Sequence, residues 1–176
     1  TRPSTYNGQA VTNYNGFPAN VVSSQNVGRA YIFGYSASGR WALTPELALT
    51  ASYNYTRGRV KNENAPETPL DHIAPAFGRA GLSYAKEKLR AEFFTNFNGW
   101  KRLSTYSSSG EDNLQYATPQ GMPSWYTLNL RASYDIHRLL TLQAGIDNLL
   151  DLQYRQFASG INAPGRNIFG TLRVKF

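Results

Sequence analysis

Seven segments of this chain alternate apolar and polar residues with a period of two, and the connections between them alternate short and long. Successive side chains of an extended chain point to opposite faces, so each segment predicts a strand with one apolar and one polar side. In the first, Tyr31, Phe33, Tyr35, Ala37, Gly39, Trp41 and Leu43 oppose Gly34, Ser36, Ser38 and Arg40. After a tight Thr44-Pro45-Glu46 turn, Leu47, Leu49, Ala51, Tyr53 and Tyr55 oppose Thr50, Ser52, Asn54 and Thr56. The pattern recurs from about Phe77 to Tyr84, from Leu89 to Asn98, from Trp125 to Asp135 and from Leu140 to Asp147. It ends with Asn167, Phe169, Thr171, Arg173 and Lys175 against Ile168, Gly170, Leu172, Val174 and Phe176.

The expectation is an all-β antiparallel meander of seven strands over residues 28–176, each about 10–13 residues long. Residues 1–27, rich in Asn, Gly, Ser, Tyr and Pro, read as an outer loop. Ordinary strands average about 5–6 residues, whereas a strand that crosses a bilayer needs about 9–11. In an up-and-down meander the short turns (near Pro45, Lys86-Glu87 and His137-Arg138) fall on one rim and the long connections on the other. Outer-membrane barrels are built this way, with short periplasmic turns and long outer loops.

A soluble barrel or sandwich that binds a small ligand alternates too, with its apolar face inward, and is the competing architecture. The content of the two faces favours the membrane. On the apolar face Trp41, Tyr84, Tyr134 and Phe176 lie near the turn rim, and Tyr31, Tyr53, Tyr55, Phe97 and Tyr126 near the loop rim. Two belts of rings around an aliphatic middle are what two membrane interfaces select. The other face carries Arg40, Arg79, Arg90, Arg131, Arg173 and Lys175 with Glu92, Asp135 and Asp147, which suits a wet or plugged lumen. Arg29 and Arg166 fall on the lipid face at its loop-side edge, where lipid phosphates are the expected contact.

Composition narrows the chemistry. The 176 residues include no cysteine, so disulfides, thiol nucleophiles and thiolate metal sites are excluded. A mean hydropathy of −0.47 is compatible with a barrel, whose strands average polar and apolar positions. The net charge of +7 raises nucleic acid or an anionic membrane as partners. The three long loops after residue 57 each sum to zero charge, so nucleic acid is not expected. His72 and His137 lack partners at metal-ligand or triad spacing and read as surface or rim residues, and no enzyme activity or cofactor is expected. Glu111-Asp112 reads as a solvated loop pair rather than a calcium or general-acid site.

Trp100, Lys101, Arg102, Tyr106 and Tyr116 bring rings and cations together beyond the loop rim. They are the candidates for contact with an anionic or aromatic ligand, against an ordinary polar loop with an interfacial Trp.

"GIDNLLDLQYR" (Gly145–Arg155), "APGRNIFGTLRVKF" (Ala163–Phe176) and "GMPSWYTLNLRASY" (Gly121–Tyr134) together resemble the closing strands of TonB-dependent outer-membrane receptors. Weaker similarity runs through "DHIAPAFGRAGLSY" (Asp71–Tyr84) and "LTASYNYTRG" (Leu49–Gly58). The resemblance implies about the last seven strands of a 22-stranded barrel in the bacterial outer membrane. It implies import of a scarce nutrient, a ferric siderophore or other iron complex first, with haem or cobalamin as alternatives. The plug, the remaining strands and the box that engages the TonB complex are then expected upstream of Thr1. The implied partners are outer-membrane lipid and lipopolysaccharide, the barrel-assembly machinery and the transported ligand. By the same resemblance Asp147-Asn148-Leu149 and Tyr154-Arg155 are expected to order the last loop.

Overall fold

A computed structural model describes residues 2–23, 29–62, 65–107 and 112–176. The alternating segments form strands β1 (Arg29–Ala42), β2 (Leu47–Asn62), β3 (Phe77–Lys86), β4 (Leu89–Asn98), β5 (Trp125–His137), β6 (Leu140–Asp147) and β7 (Asn167–Val174). They pair in chain order, each antiparallel to the next, in one sheet whose edges are β1 and β7. A short strand, Ala65–Pro69, returns along the outer half of β2. The chain reverses tightly at 43–46, where the Thr44 hydroxyl accepts the N–H groups of Glu46 and Leu47.

The register fixes the faces. Trp41, Leu49, Leu82, Phe93, Leu130, Ile146 and Ile168 lie directly opposite one another in one row across all seven strands. Ala42, Ala48, Ser83, Glu92, Arg131, Gly145 and Phe169 form a row on the reverse face. The apolar row stays open: Trp41 is 52% exposed, Phe93 44% and Ile168 72%. The buried residues Ala48, Phe94, Thr127 and Asn129 all lie on the polar face. A soluble sandwich or barrel buries its apolar face, so this inversion excludes that alternative.

The rings near the turn rim sit in a staircase. Relative to the apolar row, Tyr84 lies two residues beyond Leu82, Tyr134 four beyond Leu130 and Phe176 eight beyond Ile168. Rings selected by one flat interface descend in this way only if the strands cross it obliquely, as barrel strands do. On β5, Tyr126 and Tyr134 are separated by about 27 Å of strand, which a tilt of about 40° turns into about 20 Å of depth. The longer separation of Tyr31 and Trp41 on β1 gives about 26 Å, so the two pairs bracket the ~25 Å apolar band of such barrels.

Three boundaries differ from the periodicity. Residues 2–23 are not plain loop: Val11–Tyr14 pairs with Phe17–Asn20, and Arg2–Pro3 with Val22–Ser23. Positive φ at Asn15 and Gly16 makes the tight hairpin turn, and Asn7-Gly8 repeats it between Tyr6 and Gln9. Strand β2 runs on through Arg57, Arg59 and Lys61 to Asn62, where loop was expected. Strands β6 and β7 are 8 residues each, shorter than expected, because Asn148 turns left-handed (φ 51°) directly after Asp147. The expected start of β1 at residue 28 lies outside the described residues.

Candidate functional site

The polar face forms an inner wall held together by charge pairs between neighbouring strands. Arg79 donates to Glu92 at 2.7 Å, Arg90 to Asp135 at 2.9 Å and Arg131 to Asp147 at 3.0 Å. Arg40 reaches Ser83 at 3.4 Å, the Thr141 hydroxyl donates to Asp135 at 2.7 Å, and Arg173 lies in register with Thr141. The predicted wall charges therefore stand on this face, three of the arginines neutralised by cross-strand carboxylates.

Two rings that charge patterning did not single out complete the wall. The Arg79 guanidinium lies 3.6 Å over the Phe94 ring and that of Arg131 5.2 Å from it, while Arg131 is also 5.7 Å from Phe169. Phe169 in turn covers Gly145, where an added Cβ would meet the ring edge at 2.8 Å. Gly145→Val is therefore expected to displace Phe169 and the Arg131 stem, costing about 1–3 kcal/mol, read as a lower urea midpoint of the refolded receptor.

Above the wall, three loops converge on Lys101. Its ammonium donates to the Ile73 carbonyl at 2.6 Å, lies 4.7 Å over Phe157 and 5.3 Å over Tyr106, and is 3.9 Å from Asp112 Oδ2. Asp112 Oδ1 accepts the His72 backbone N–H at 2.8 Å. Lys101 and Asp112 are buried, with side chains 3% and 1% exposed. Burial holds the Lys101 ammonium below its ordinary pKa, with the Asp112 carboxylate opposing, and pushes the Tyr106 hydroxyl up. The expectation of a solvated Asp112 is thus corrected: it is the buried anion of an ion pair, while Glu111 lies outside the described residues. Lys101 and Tyr106 face this cluster rather than outer solvent. Trp100, Arg102 and Tyr116 remain exposed, with Arg102 5.8 Å from the Trp100 ring and Arg155 5.5 Å from that of Tyr116. His72 has an exposed side chain and His137 accepts a turn N–H from Leu139. No group of three metal-ligating side chains occurs among the described residues.

The last loop is tied by its own side chains. Asn148 accepts from Leu152 N–H at 3.0 Å and donates to the Leu152 and Pro164 carbonyls, while its backbone N–H reaches buried Asn129. Asp151 accepts the Arg166 N–H at 2.7 Å, and Arg155 donates to Asn162 and to the Tyr116 carbonyl. Tyr154 packs on Trp125 at 4.2 Å. Arg166 also donates to the Leu149 carbonyl, so its guanidinium closes the loop where lipid contact was expected. Between the wall and these loops lie two hollows of about 440 and 430 Å³. Phe157 lines the first, Tyr116 and Arg155 the second, and Trp125 both. The buried Trp125 indole N–H has no acceptor.

The described geometry has clear relatives. The family model "TonB dependent receptor-like, beta-barrel" matches residues 4–149. The chain belongs to this TonB-dependent receptor family. It is 23% identical over 152 residues to the iron-regulated outer membrane virulence protein of Vibrio cholerae, covering 86% of this chain and 22% of that protein. It is 28% identical over 171 residues to transferrin-binding protein A of Neisseria meningitidis serogroup B, covering 79% of this chain and 19% of that protein. Among solved structures, the copper transporter OprC superposes with a TM-score of 0.70 at 21% identity, over 84% of this chain and 24% of that one. The ferric citrate transporter FecA superposes with a TM-score of 0.63 at 19% identity, over 85% of this chain and 25% of that one. The chain thus spans about a quarter or less of the relatives it matches. As a TonB-dependent receptor barrel it is an outer-membrane protein and not an enzyme.

Proposed function

We propose that residues 1–176 form the C-terminal part of the β-barrel of a receptor that imports an iron complex, a ferric siderophore first, with haem and cobalamin as the other cargoes to test. The full barrel then has 22 strands, β7 closes it against the first of them, and a plug carried upstream occupies the polar wall and engages TonB. The aromatic Phe176 end is read by the barrel-assembly machinery.

The observation that carries this reading is the set of exposed ring and guanidinium pairs, Trp100–Arg102 and Tyr116–Arg155, on loops above the inner wall. With the unpaired Trp125 indole N–H they present donors and π-faces to an incoming ligand whose outer atoms are anionic oxygens. Trp100, Arg102 and Tyr116 are the contact residues in this reading; Lys101 and Tyr106 hold the loops that carry them. Iron appears in the printed names of a curated relative and of several solved neighbours. The test is labelled-iron uptake by a receptor-deletion strain complemented with the full receptor, supplied with defined iron complexes. Trp100→Ala, Arg102→Ala and Tyr116→Ala together should raise the half-saturating concentration about tenfold or more. Restoration of copper or cobalamin uptake with no iron complex transported would overturn the iron reading.

A further inference from the structure

Outside the upper ring belt, strands β1 and β2 continue on the same outward parity, but the residues there change kind. At the belt, Tyr35 stacks on Tyr53 at 5.9 Å and meets Tyr55 at 5.5 Å, and Tyr53 meets Phe97 at 6.4 Å. One pleat further out the register pairs Phe33 with Arg57, then Tyr31 with Arg59, then Arg29 with Lys61. Four cations and two rings therefore share one outward face of two adjacent strands. Arg29, Arg57 and Lys61 are exposed, and Arg59 is half-buried.

Read as loop, residues 57–71 carry charges that cancel. As strand they are sorted by parity, and the cations collect on the outside. Glu67 offsets one of them, its carboxylate taking the Tyr31 hydroxyl at 2.8 Å. The Lys61 ammonium lies 5.4 Å over the same Tyr31 ring. Like charges directly across a strand pair, as Arg29 and Lys61 are, repel unless an external anion lies between them. Along the strand, Arg57 to Lys61 covers about 14 Å, and the neighbouring strand is about 5 Å away. Beside this ladder opens a cleft of about 330 Å³ whose walls include Tyr55, Arg57, Arg59, Pro75, Trp100 and Thr105.

We propose that Arg29, Arg57, Arg59 and Lys61 dock the phosphate groups of an anionic outer-leaflet lipid, with the tyrosine belt beneath them against its apolar part. The height is right for this occupant: cations stand immediately above rings, and rings of this kind settle at the level of lipid headgroups. Guanidinium groups match phosphate oxygens two at a time, and each cation at a charged membrane surface adds to the attraction. The proposal rests on the outward parity of β1 and β2 and is independent of which nutrient is imported.

The test uses the purified full receptor in detergent, with native mass spectrometry of bound lipid. The probes are bis-phosphorylated lipid A, its dephosphorylated counterpart with the same acyl chains, and inorganic phosphate as competitor. Arg57→Gln, Arg59→Gln and Lys61→Gln together should lower occupancy by the bis-phosphorylated lipid about tenfold to a hundredfold. Lys86→Gln with Lys88→Gln, two charges removed at the opposite rim, should leave it unchanged. Heat-modifiable migration reports that each barrel is folded; if the triple variant fails this check, exposed Arg57→Gln alone should still lower occupancy about fivefold. Equal binding of the two lipids by the unmodified receptor, or equal loss in the Lys86 and Lys88 control, overturns the proposal. Displacement of the lipid by equimolar inorganic phosphate assigns the patch to free anions and overturns it as well.

Discussion

A receptor carrying Lys101→Met will keep its barrel and lose the order of its outer loops. The ammonium is the one group that touches all three loops, through Ile73 on the first, Asp112 and Tyr106 on the second, and Phe157 on the third. Methionine fills most of the volume but leaves the Asp112 carboxylate, 1% exposed, with no cation and only the His72 N–H on its other oxygen. Removing one partner of a buried ion pair costs about 3–5 kcal/mol, because the remaining charge stays desolvated. The strands do not share this cost, since their ladder and wall pairs are untouched. The loss therefore appears as local opening. Hydrogen exchange should rise by about a hundredfold or more at residues 70–76, 99–107 and 156–158, with β3 to β6 unchanged. Lys101→Met with Asp112→Asn should recover most of the protection, because a neutral pair of similar volume removes the stranded charge. If the double variant is as loose as the single one, packing on Phe157 and Tyr106 holds the loops, not charge.

What could be read in advance followed the membrane. Inside the bilayer, lipid forces every outward position to be apolar, so period-two alternation marks both the strands and their faces, and the row from Trp41 to Ile168 follows from it. Beyond the bilayer that pressure ends. Arg57, Arg59 and Lys61 occupy outward positions without being apolar, the alternation in polarity vanishes, and β2 looks like loop although its backbone is unchanged. The Asn7-Gly8 and Asn15-Gly16 turns were legible by a different signal, the need for two successive positive φ angles. Their strands are too short for a period to show.

The site was less legible for a related reason. Lys101 and Asp112 lie in a segment without periodicity, and nothing local distinguishes a cation that is buried from one that meets ligand. The burial comes from loops far apart in sequence, 70–76 and 148–166, closing over the same point. Phe94 is the opposite case: it sits among polar residues on the inner wall, where two guanidinium groups, not lipid, supply its contacts.

Asn148→Ala should be the most damaging single change in the last loop, and its causes can be separated. The side chain accepts from Leu152 N–H and donates to two carbonyls, and Asn148 is buried, so alanine leaves three backbone groups without those partners. Unpaired buried groups cost about 1–3 kcal/mol each, reduced where water can enter from the loop side. The backbone adds to this, because Asn148 sits at φ 51° and alanine tolerates that region less well by about 1 kcal/mol. Together the loss is about 3–5 kcal/mol, again local to residues 148–166. Asn148→Gly relieves the backbone while deleting the same bonds, so it should recover only about 1 kcal/mol of that loss. Asn148→Asp keeps the acceptor for Leu152 N–H but turns a charged oxygen towards the Leu152 and Pro164 carbonyls, and should fall below glycine at neutral pH. Proteolytic cleavage rates between residues 149 and 164, measured on the folded receptor, read this order directly. If glycine restores the loop fully, the residue serves the left-handed turn alone; if aspartate matches asparagine, the two donated bonds contribute nothing.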